Sequence, residues 1–463
     1  MRWNIPGLLL LLFLNACSPF RVELQPQEMV EPPQNYSTVG SEVVPGRWWQ
    51  SFASADLDRL IDEALNDNLT LRQAWARLLQ AQSLSRQSRS SQRPDLSLSA
   101  GHENSRQRSS GMTTDDESYS LGLSSSFELD LWGRVAAEVE SQQKEELATR
   151  EDLQTAAISL AAEVTDSWLS LLTQIGQQQL LDQQLQTSRE YLRLIDLRFR
   201  KSQSTALDLL QQQEAIAALQ TRLPALQKQE QLLRHELALL LGNSPQQPLV
   251  LTEVTLPQLH PLPALGLPAD LLRQRPDVRA AALRLQAAGL DLTVAKADRL
   301  PALKLTASAT TSGDFSELFD NWLLNLAQNL SAPLLDSGKR KAEVERQKAV
   351  LAEEVAGYQQ SVLTAIREVE DALVSEQKLQ EELNALLHQL EIAKKALAVA
   401  KNRYLKGQST YLPVLTELQN VEQLQQDLLN QRLDLLSNRV SLHRALGGDW
   451  SEQLPVQQLE VKL

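Results

Sequence analysis

The sequence predicts a mostly α-helical protein with an internally duplicated plan and four β-strands in each chain. The 463-residue chain is rich in Gln, Leu, Ala and Glu, and only 5% of its residues are aromatic. This composition favours long helices with solvated faces. Apolar residues also recur at helical spacing over long stretches, and the same succession of patterns occurs twice in the chain.

The N-terminal region has the pattern of an export signal. Arg2 precedes an apolar run at 8–14 that is too short to span a bilayer. The sequence LNAC, ending at Cys17, resembles a bacterial lipobox, and this cysteine is the only one in the chain. We therefore predict a signal peptide over 1–16 and lipidation of Cys17, in preference to an ordinary signal with a chance cysteine. The next residue is Ser18. In bacteria with two membranes, a residue other than Asp at this position resembles the signal that sorts lipoproteins to the outer membrane.

The first repeat is predicted over 54–241, after a Pro-rich, lipid-anchored arm over 17–53. Helical pattern begins near Asp56 and runs to about Gln92, with a break at NDNLT. Two segments then alternate apolar and polar residues, DLSLSAG and SYSLGLSSSFELDLWGR. Such alternation is typical of strands with one apolar face, so we predict a hairpin whose strands are joined by a polar loop.

A helix of unusual length is predicted after this hairpin. Apolar residues are three or four positions apart over 153–175, and no proline occurs in 134–200. At about 1.5 Å per residue such a helix is roughly 100 Å long, which is typical of coiled coils. The sequence KSQST interrupts the pattern at 201–205, and a further helix follows to about Leu241.

A second repeat is predicted over 269–447, after a proline-rich equatorial connector at 242–268 and before a tail at 448–463. It contains the helical stretch RPDVRAAALRLQAAGLDLTVAKADRLP, the alternating ALKLTASAT and a less regular strand in NWLLNLAQNLSAP. A long helix from about Lys339 to Leu405, the turn KGQST and a last helix complete it. The last helix has a heptad seam of Val414, Leu418, Val421, Leu428, Leu435 and Leu442.

The register of the two repeats indicates a duplication. Pro94 matches Pro301 at an offset of 207 residues, and Lys201 matches Lys406 at an offset of 205. The offset changes only across the loop between the strands, where length is well tolerated. We therefore predict a duplicated unit of helix, hairpin, long helix, turn and helix.

The two turns are predicted where long helices reverse. Gly407 suits the left-handed residue after a helix end, and Ser202 at the matching position predicts a first turn that is more strained or differently shaped. Thr205 and Asp208 form a capping-box pattern, and the Ser409–Thr410 pair is expected to cap the second returning helix. An arginine and an aromatic residue precede each turn, so plain turns and partner-binding turns both stay open.

The four strands need cover for their apolar faces and partners for their edges. A bilayer accepts strands only as a closed barrel, and strands of about 10 to 12 residues fit one. Four strands cannot close a barrel, so several chains would share it; the alternative is a small soluble sandwich. Aromatic residues near the strand ends suit the membrane interface: Tyr119, Phe127, Trp132, Phe319 and Trp322.

Composition and motifs disfavour two other classes of function. The net charge of −13 argues against nucleic acid as a partner, because phosphate binding needs clustered Lys and Arg. The five histidines are scattered, and the sequence contains no HExxH, P-loop or GxSxG motif. We expect no enzymatic activity, no cofactor and no metal site.

Five stretches of the chain resemble the outer-membrane efflux duct family of the TolC type, in its NodT-like lipoprotein branch. They are RWWQSFASADLDRLIDEAL, FELDLWGRV, LLRQRPDVRAAALRLQAA, APLLDSGKR and RYLKGQSTYLPVLTELQ. The resemblance implies a homotrimer whose twelve strands form one barrel in outer-membrane lipid and whose helices form a periplasmic coiled-coil tunnel. It implies a passive duct that works with a periplasmic adaptor protein. Since there is no ATP site, energy comes from an inner-membrane pump such as an RND transporter.

The resemblance also implies roles for individual residues. Leu412 matches an apolar gate ring of relatives, whereas Thr416 and Gln419 stand where relatives often have Asp and a basic residue. Independently of the resemblance, Glu417, Asp208 and Glu214 are candidate negative charges near this gate, with ordinary solvated side chains as the alternative. The turns become periplasmic tips that dock the adaptor through Arg198, Phe199, Lys201, Ser202, Arg403, Tyr404, Lys406 and Gly407.

An alternative function is a periplasmic structural or adaptor lipoprotein, a coiled-coil spacer without a pore. Such a spacer would not need hairpins with one apolar face, so the alternating strands favour the duct. The sequence does not identify the cargo: drugs, metals, solvents and peptides all stay open.

Overall fold

The computed structural model describes most of the chain and resolves two compact units within it. Cys17, the signal peptide and most of the predicted tail lie outside the described residues. The described residues are 20–22, 24–26, 30–38, 40, 46–316, 318–448 and 450–454.

Helices and strands follow one another in the predicted order. Both repeats contain a 22-residue helix before the strands, then a 67-residue helix and a 35-residue helix after them. Equal lengths of this kind are what an internal duplication produces. The first repeat comprises α1 (Ala55–Asp67), α2 (Leu69–Ser90), β1 (Asp95–Ser109), β2 (Met112–Leu129), α3 (Arg134–Arg200) and α4 (Ala206–Leu240). The second comprises α5 (Leu271–Gln274), α6 (Pro276–Ala297), β3 (Ala302–Gly313), β4 (Trp322–Ser331), α7 (Lys339–Leu405) and α8 (Leu412–Leu446).

The first compact unit contains one antiparallel sheet with the strand order β1-β2-β3-β4. Adjacent rows across it alternate in polarity. The apolar row is Leu98, Leu123, Ala309 and Leu324, and the next row is Ser97, Ser124, Ser308 and Asn325. Leu98 and Leu324 are 71% and 59% exposed, so the apolar face is uncovered. The described residues form no second sheet, so the sandwich alternative is wrong.

The first hairpin is longer than predicted. The polar stretch after DLSLSAG is predicted as a loop, but β1 and β2 stay paired up to Ser110–Gly111. The φ angles of these two residues, 50° and 85°, suit a tight two-residue turn. Polar pairs such as Arg106 with Asp115, 2.5 Å apart, lie across the strands, and apolar periodicity does not detect a strand with two polar faces. Tyr119 consequently lies mid-strand, opposite Gly313 at the end of β3.

The N-terminal arm of the first unit runs along α6. The hydroxyl of Thr293 donates to the carbonyl of Phe20 at 3.2 Å, and Val22 packs on a cluster that includes Leu292. A Cβ on Gly289 would lie 2.8 Å from a methyl carbon of Leu24 in the arm. The arm therefore occupies space that α6 leaves free at a glycine.

The second compact unit contains two helical hairpins with their turns. One is formed by α4 with the part of α3 that starts at Leu153, and the other by α8 with the part of α7 that starts at Val362. Each hairpin has its own apolar core. The core of the first includes Leu181, Leu185, Ile216 and Leu219, and that of the second includes Leu390, Ala393, Val421 and Leu424. Most positions of the predicted heptad seam in α8 are buried, among them Val414 and Leu442, as a coiled-coil packing seam requires.

Candidate functional site: the paired helical turns

The turns that end α3 and α7 have the same backbone geometry. In each, two amides bond back to carbonyls of the last helical turn, the Schellman pattern. These bonds join Gln203 to Arg198 (2.8 Å) and Ser202 to Phe199 (2.9 Å), then Gln408 to Arg403 (2.8 Å) and Gly407 to Tyr404 (3.0 Å). The left-handed residues are Ser202, with φ of 58°, and Gly407, with φ of 70°. A differently shaped first turn is therefore wrong, but Ser202 does hold the strained conformation.

The helices that leave the turns begin differently. The amide of Asp208 donates to the hydroxyl of Thr205 at 3.2 Å, and the amide of Thr205 donates to the Asp208 carboxylate at 3.0 Å. The predicted capping box is therefore confirmed. The N-cap of α8 is Tyr411, whose side chain makes no capping bond, so the cap predicted from Ser409–Thr410 is wrong. Pro413 in the first turn of α8 has no N–H, which removes one donor that would need a partner.

Side chains join the two turns to each other. The guanidinium of Arg198 lies 4.7 Å from the ring centre of Tyr404 and donates to the carbonyl of Leu405 at 3.3 Å. The Tyr404 hydroxyl donates to Ser204 at 3.2 Å, and Ser204 donates to Asp208 at 2.8 Å. Tyr404 is only 4% exposed. Its side chain thus supports the paired turns instead of reaching outward as a docking residue.

The other residues predicted for docking leave a surface open to solvent. The side chain of Phe199 is 41% exposed, and Lys201 and Lys406 provide positive charge on the two turns. A partner that fits this surface would combine acidic and apolar groups. The exposed members of the predicted set are Phe199, Lys201, Ser202, Arg403, Lys406 and Gly407.

The predicted gate residues share an exposed face of α8. Leu412 is 53% exposed, and Thr416 and Gln419 are also exposed. The Thr416 hydroxyl donates to the carbonyl of Leu412 at 3.1 Å, which directs it toward its own backbone. Glu417 is half-buried, whereas the carboxylate of Asp208 is occupied by the cap described above.

A buried polar network lies behind the turns, and sequence reasoning missed it. The Tyr411 hydroxyl donates to the Gln212 side chain at 2.5 Å, and the Gln212 amide donates to the carbonyl of Ser188 at 2.8 Å. The Ser188 hydroxyl bonds the carboxyl of Glu422, and burial raises the pKa of that carboxyl to about 7. All four residues are at most 7% exposed. In Gln-rich helices the sequence pattern suggests that such polar residues are exposed to solvent. The one sequence feature that points to burial is the position of Glu422 next to Val421 of the heptad seam.

Neither metal binding nor a spanning helix is visible in the described part of the chain. No group of His, Cys, Asp and Glu there has an arrangement that could hold a metal ion. No helix among the described residues combines the length and the apolar character that crossing a bilayer requires.

A family model described as outer membrane efflux protein matches residues 60–243 and 267–448. The chain belongs to the outer membrane efflux protein family. The two matched segments correspond to the two halves of the chain, and the interval between them falls in the connector. The predicted family is therefore confirmed.

Individual members of the outer membrane efflux protein family match almost the whole chain. The pyoverdine export outer membrane protein OpmQ of Pseudomonas putida is 32% identical over 96% of this chain and 97% of its own length. The outer membrane protein OprJ of Pseudomonas aeruginosa is 33% identical over 97% and 96%. The solved structure of the open state of the MtrE outer membrane channel of Neisseria gonorrhoeae has a TM-score of 0.82 and 25% identity, covering 96% of this chain and 100% of MtrE.

These matches confirm the predicted function at the level of the family. The protein is an outer-membrane component of an efflux system. Its fold, mostly helical with a small set of strands, is that of the solved TolC-type channels.

Proposed function

We propose that three copies of this chain form a passive duct through the outer membrane. The observation that carries the proposal is the four-stranded sheet, which has an exposed apolar face, a polar face and two edge strands that pair with no other strand among the described residues. Unpaired strand edges and an uncovered apolar face are satisfied together when a barrel closes in lipid.

Three sheets supply twelve strands, enough to enclose a water-filled lumen. The apolar row through Leu98 and Leu324 then faces lipid, and the serine-rich row faces the lumen. The helices form the proposed periplasmic tunnel. The chain is then organised as proposed from the sequence: signal peptide 1–16, arm 17–53, repeats 54–241 and 269–447, connector 242–268 and tail 448–463.

The exposed turn residues are the proposed adaptor-docking surface. Each subunit has two similar tips, one with Phe199 and Lys201 and the other with Lys406. A trimer therefore offers six tips around one axis. A periplasmic adaptor with complementary acidic and apolar groups fits them. An inner-membrane pump such as an RND transporter then supplies energy and cargo. OpmQ is named for pyoverdine export, and the TtgI protein of Pseudomonas putida is named for toluene efflux. The names of relatives thus point to different cargoes.

Lipidation of Cys17 anchors the mature chain to the same membrane. The path of the arm supports this, because Phe20, three residues after Cys17, contacts Thr293 on the helix that leads into β3. We expect labelled palmitate to enter the wild-type protein and not Cys17→Ser, with barrel insertion retained. Label retained in the variant would remove the lipid anchor from the proposal.

The alternative, a coiled-coil spacer without a pore, makes opposite predictions for the purified protein. In mild detergent a duct has the mass of three chains, and it carries current when added to planar lipid bilayers. A stable folded monomer, or a trimer that never conducts, would favour the spacer. Heat-modifiable migration on a gel is a second test, since closed barrels resist unfolding until heated.

A further inference from the structure

The contact between the two helical hairpins of the second unit has an apolar part and a polar part. Near the turns, Ile195 of α3 shares a buried cluster with Val414 and Leu415 of α8, and hydrogen bonds join the same two helices farther from the turns. The side-chain amide of Gln177 donates to Asn430 at 2.6 Å, and that of Gln184 donates to the carbonyl of Glu422 at 3.0 Å. Gln426 bonds back to Gln184 at 3.4 Å. Away from that cluster, the interface of α3 with α8 is therefore joined by side-chain hydrogen bonds, whereas apolar side chains fill each hairpin.

Two carboxyl groups lie in this interface, one on each helix: the Glu422 side chain is buried, and that of Asp166 is half-buried. Glu422 of α8 bonds the hydroxyl of Ser188 on α3, and Asp166 of α3 bonds the hydroxyl of Ser437 on α8. One oxygen of each carboxyl, Oε1 of Glu422 and Oδ1 of Asp166, is buried without a hydrogen-bond partner among the described residues. A buried carboxylate with an unsatisfied oxygen is costly, and protonation removes most of that cost.

We propose that the α3–α8 interface is a pH-sensitive joint, in which the carboxyl groups of Asp166 and Glu422 hold the hairpins together when protonated and weaken their contact when ionised. The two groups act in the same sense although they lie on opposite helices. The joint is a property of one subunit, so it goes beyond the proposed duct and does not rest on it.

The surroundings of each carboxyl set the direction of the effect. Burial is the largest influence and raises the pKa of Glu422 to about 7 and that of Asp166 to about 6. Arg222 on α4 opposes this at Glu422, and Arg444 on α8 opposes it at Asp166, but neither cancels it. Burial also raises the pKa of Tyr411, the titratable neighbour of Glu422 on its own helix, so Tyr411 stays neutral. No charged group of α7 contributes at either site within the described residues.

Separated helices expose both carboxyls to water and return their pKa values to the ordinary 4.5 and 3.8. A group whose pKa is raised in the closed joint stabilises that joint fully below its ordinary pKa and loses the effect as pH rises through the raised value. The joint is therefore tightest in acid. It weakens as pH rises through the two raised values, and above about pH 8 it changes little further.

Hydrogen exchange of the intact, detergent-solubilised protein tests the joint. We expect peptides over 184–192 and 418–426 to lose protection between about pH 5 and about pH 8, after correction for intrinsic exchange. Each unit of pKa shift corresponds to about tenfold. With both groups ionising, opening should therefore rise on the order of a thousandfold over this pH range. Glu422→Gln and Asp166→Asn keep shape and remove ionisation; together they should abolish the pH dependence.

Asp427→Asn is the matched control, because this carboxylate is on the same helix but accepts its bond from Gln423 within α8. It should leave the pH dependence of exchange as in wild type. Wild-type exchange that is independent of pH, or a double variant that still responds to pH, would overturn the joint. Conductance of the same samples separates the proposals. A conducting channel with no pH response in the two peptides refutes only the joint, and a responsive protein that never conducts refutes only the duct.

Discussion

At the residue scale, the rings of Tyr411 and Tyr404 pack against each other with their centres 5.4 Å apart. Their hydroxyls nevertheless have different surroundings. Tyr411→Phe leaves the buried oxygen of Gln212 without its donor, which should lower the free energy of unfolding by about 1–3 kcal/mol. Tyr404→Phe removes a hydrogen bond to the half-buried Ser204, and water can take the place of the lost hydroxyl. This change should lower the free energy of unfolding by only about 0.5–1.5 kcal/mol. Thermal unfolding followed by circular dichroism measures both. Equal losses would mean that the network behind the turn is not closed to water.

The left-handed positions of the two turns allow a reciprocal exchange. A residue with a Cβ loses about 1–2 kcal/mol in this conformation, while glycine costs about 0.5–1 kcal/mol in chain entropy. Ser202→Gly should therefore raise the unfolding temperature slightly, and Gly407→Ser should lower it. Ser202→Ala, which keeps the Cβ, is the control and should change little. A lower unfolding temperature for Ser202→Gly would show that the serine side chain stabilises the turn in its own right.

The turns and the buried network show what the sequence can reveal about single residues. Glycine in KGQST and the Thr205–Asp208 pattern are local signals, because the bonds they form lie within a few residues. Gln212 and Glu422 give no such signal, since their burial depends on which helices meet 200 positions apart in the chain. A cap for α8 was predicted wrongly because a serine and a threonine are available there, yet α8 begins after Tyr411.

At the scale of elements, the two faces of β4 should respond differently to charge. Leu324 lies in the apolar row of the sheet, and Asn325 lies in the polar row. Leu324→Arg should cost about 2–4 kcal/mol if that face contacts lipid near the middle of the bilayer. Asn325→Arg, one position along, should insert normally. Membrane insertion and heat-modifiable migration report the difference. Similar behaviour of the two variants would contradict a lipid-facing apolar row.

The lengths of elements were predicted well where the spacing of apolar residues and the turn sequences that interrupt it gave the same boundary. Both long helices end where the KxQST sequences interrupt an unbroken helical pattern, and the helical stretch at 276–297 matches its counterpart in length. The extended β1–β2 hairpin was missed because its outer half is polar on both faces. The structure there is determined by pairing with the neighbouring strand, and alternation of apolar residues does not reveal such pairing.

At the scale of the whole molecule, the gate prediction depends on assembly. Leu412 is exposed in the single subunit, so it contributes little to the core of its own chain. In a trimer, three copies at the narrow end of the tunnel would face one another and impede ions by excluding water. Leu412→Ala should therefore increase ion conductance, and Leu412→Asp should increase it more through repulsion and hydration. Thr416→Asp should restore the acidic ring of relatives and shift selectivity towards cations.

Leu415→Ala is the matched control for the gate. Leu415 is buried with Tyr411 and Val414 in the cluster below the turns, so its truncation should cost about 2–5 kcal/mol and lower the yield of trimer. Leu412→Ala should leave both stability and yield near wild type. Conductance in planar bilayers and thermal stability are measured on the same purified trimers. If Leu412→Ala is destabilised like Leu415→Ala but electrically normal, Leu412 packs between helices and the constriction lies elsewhere. If it is stable and conducts more, the ring that limits flow is formed only when three chains meet.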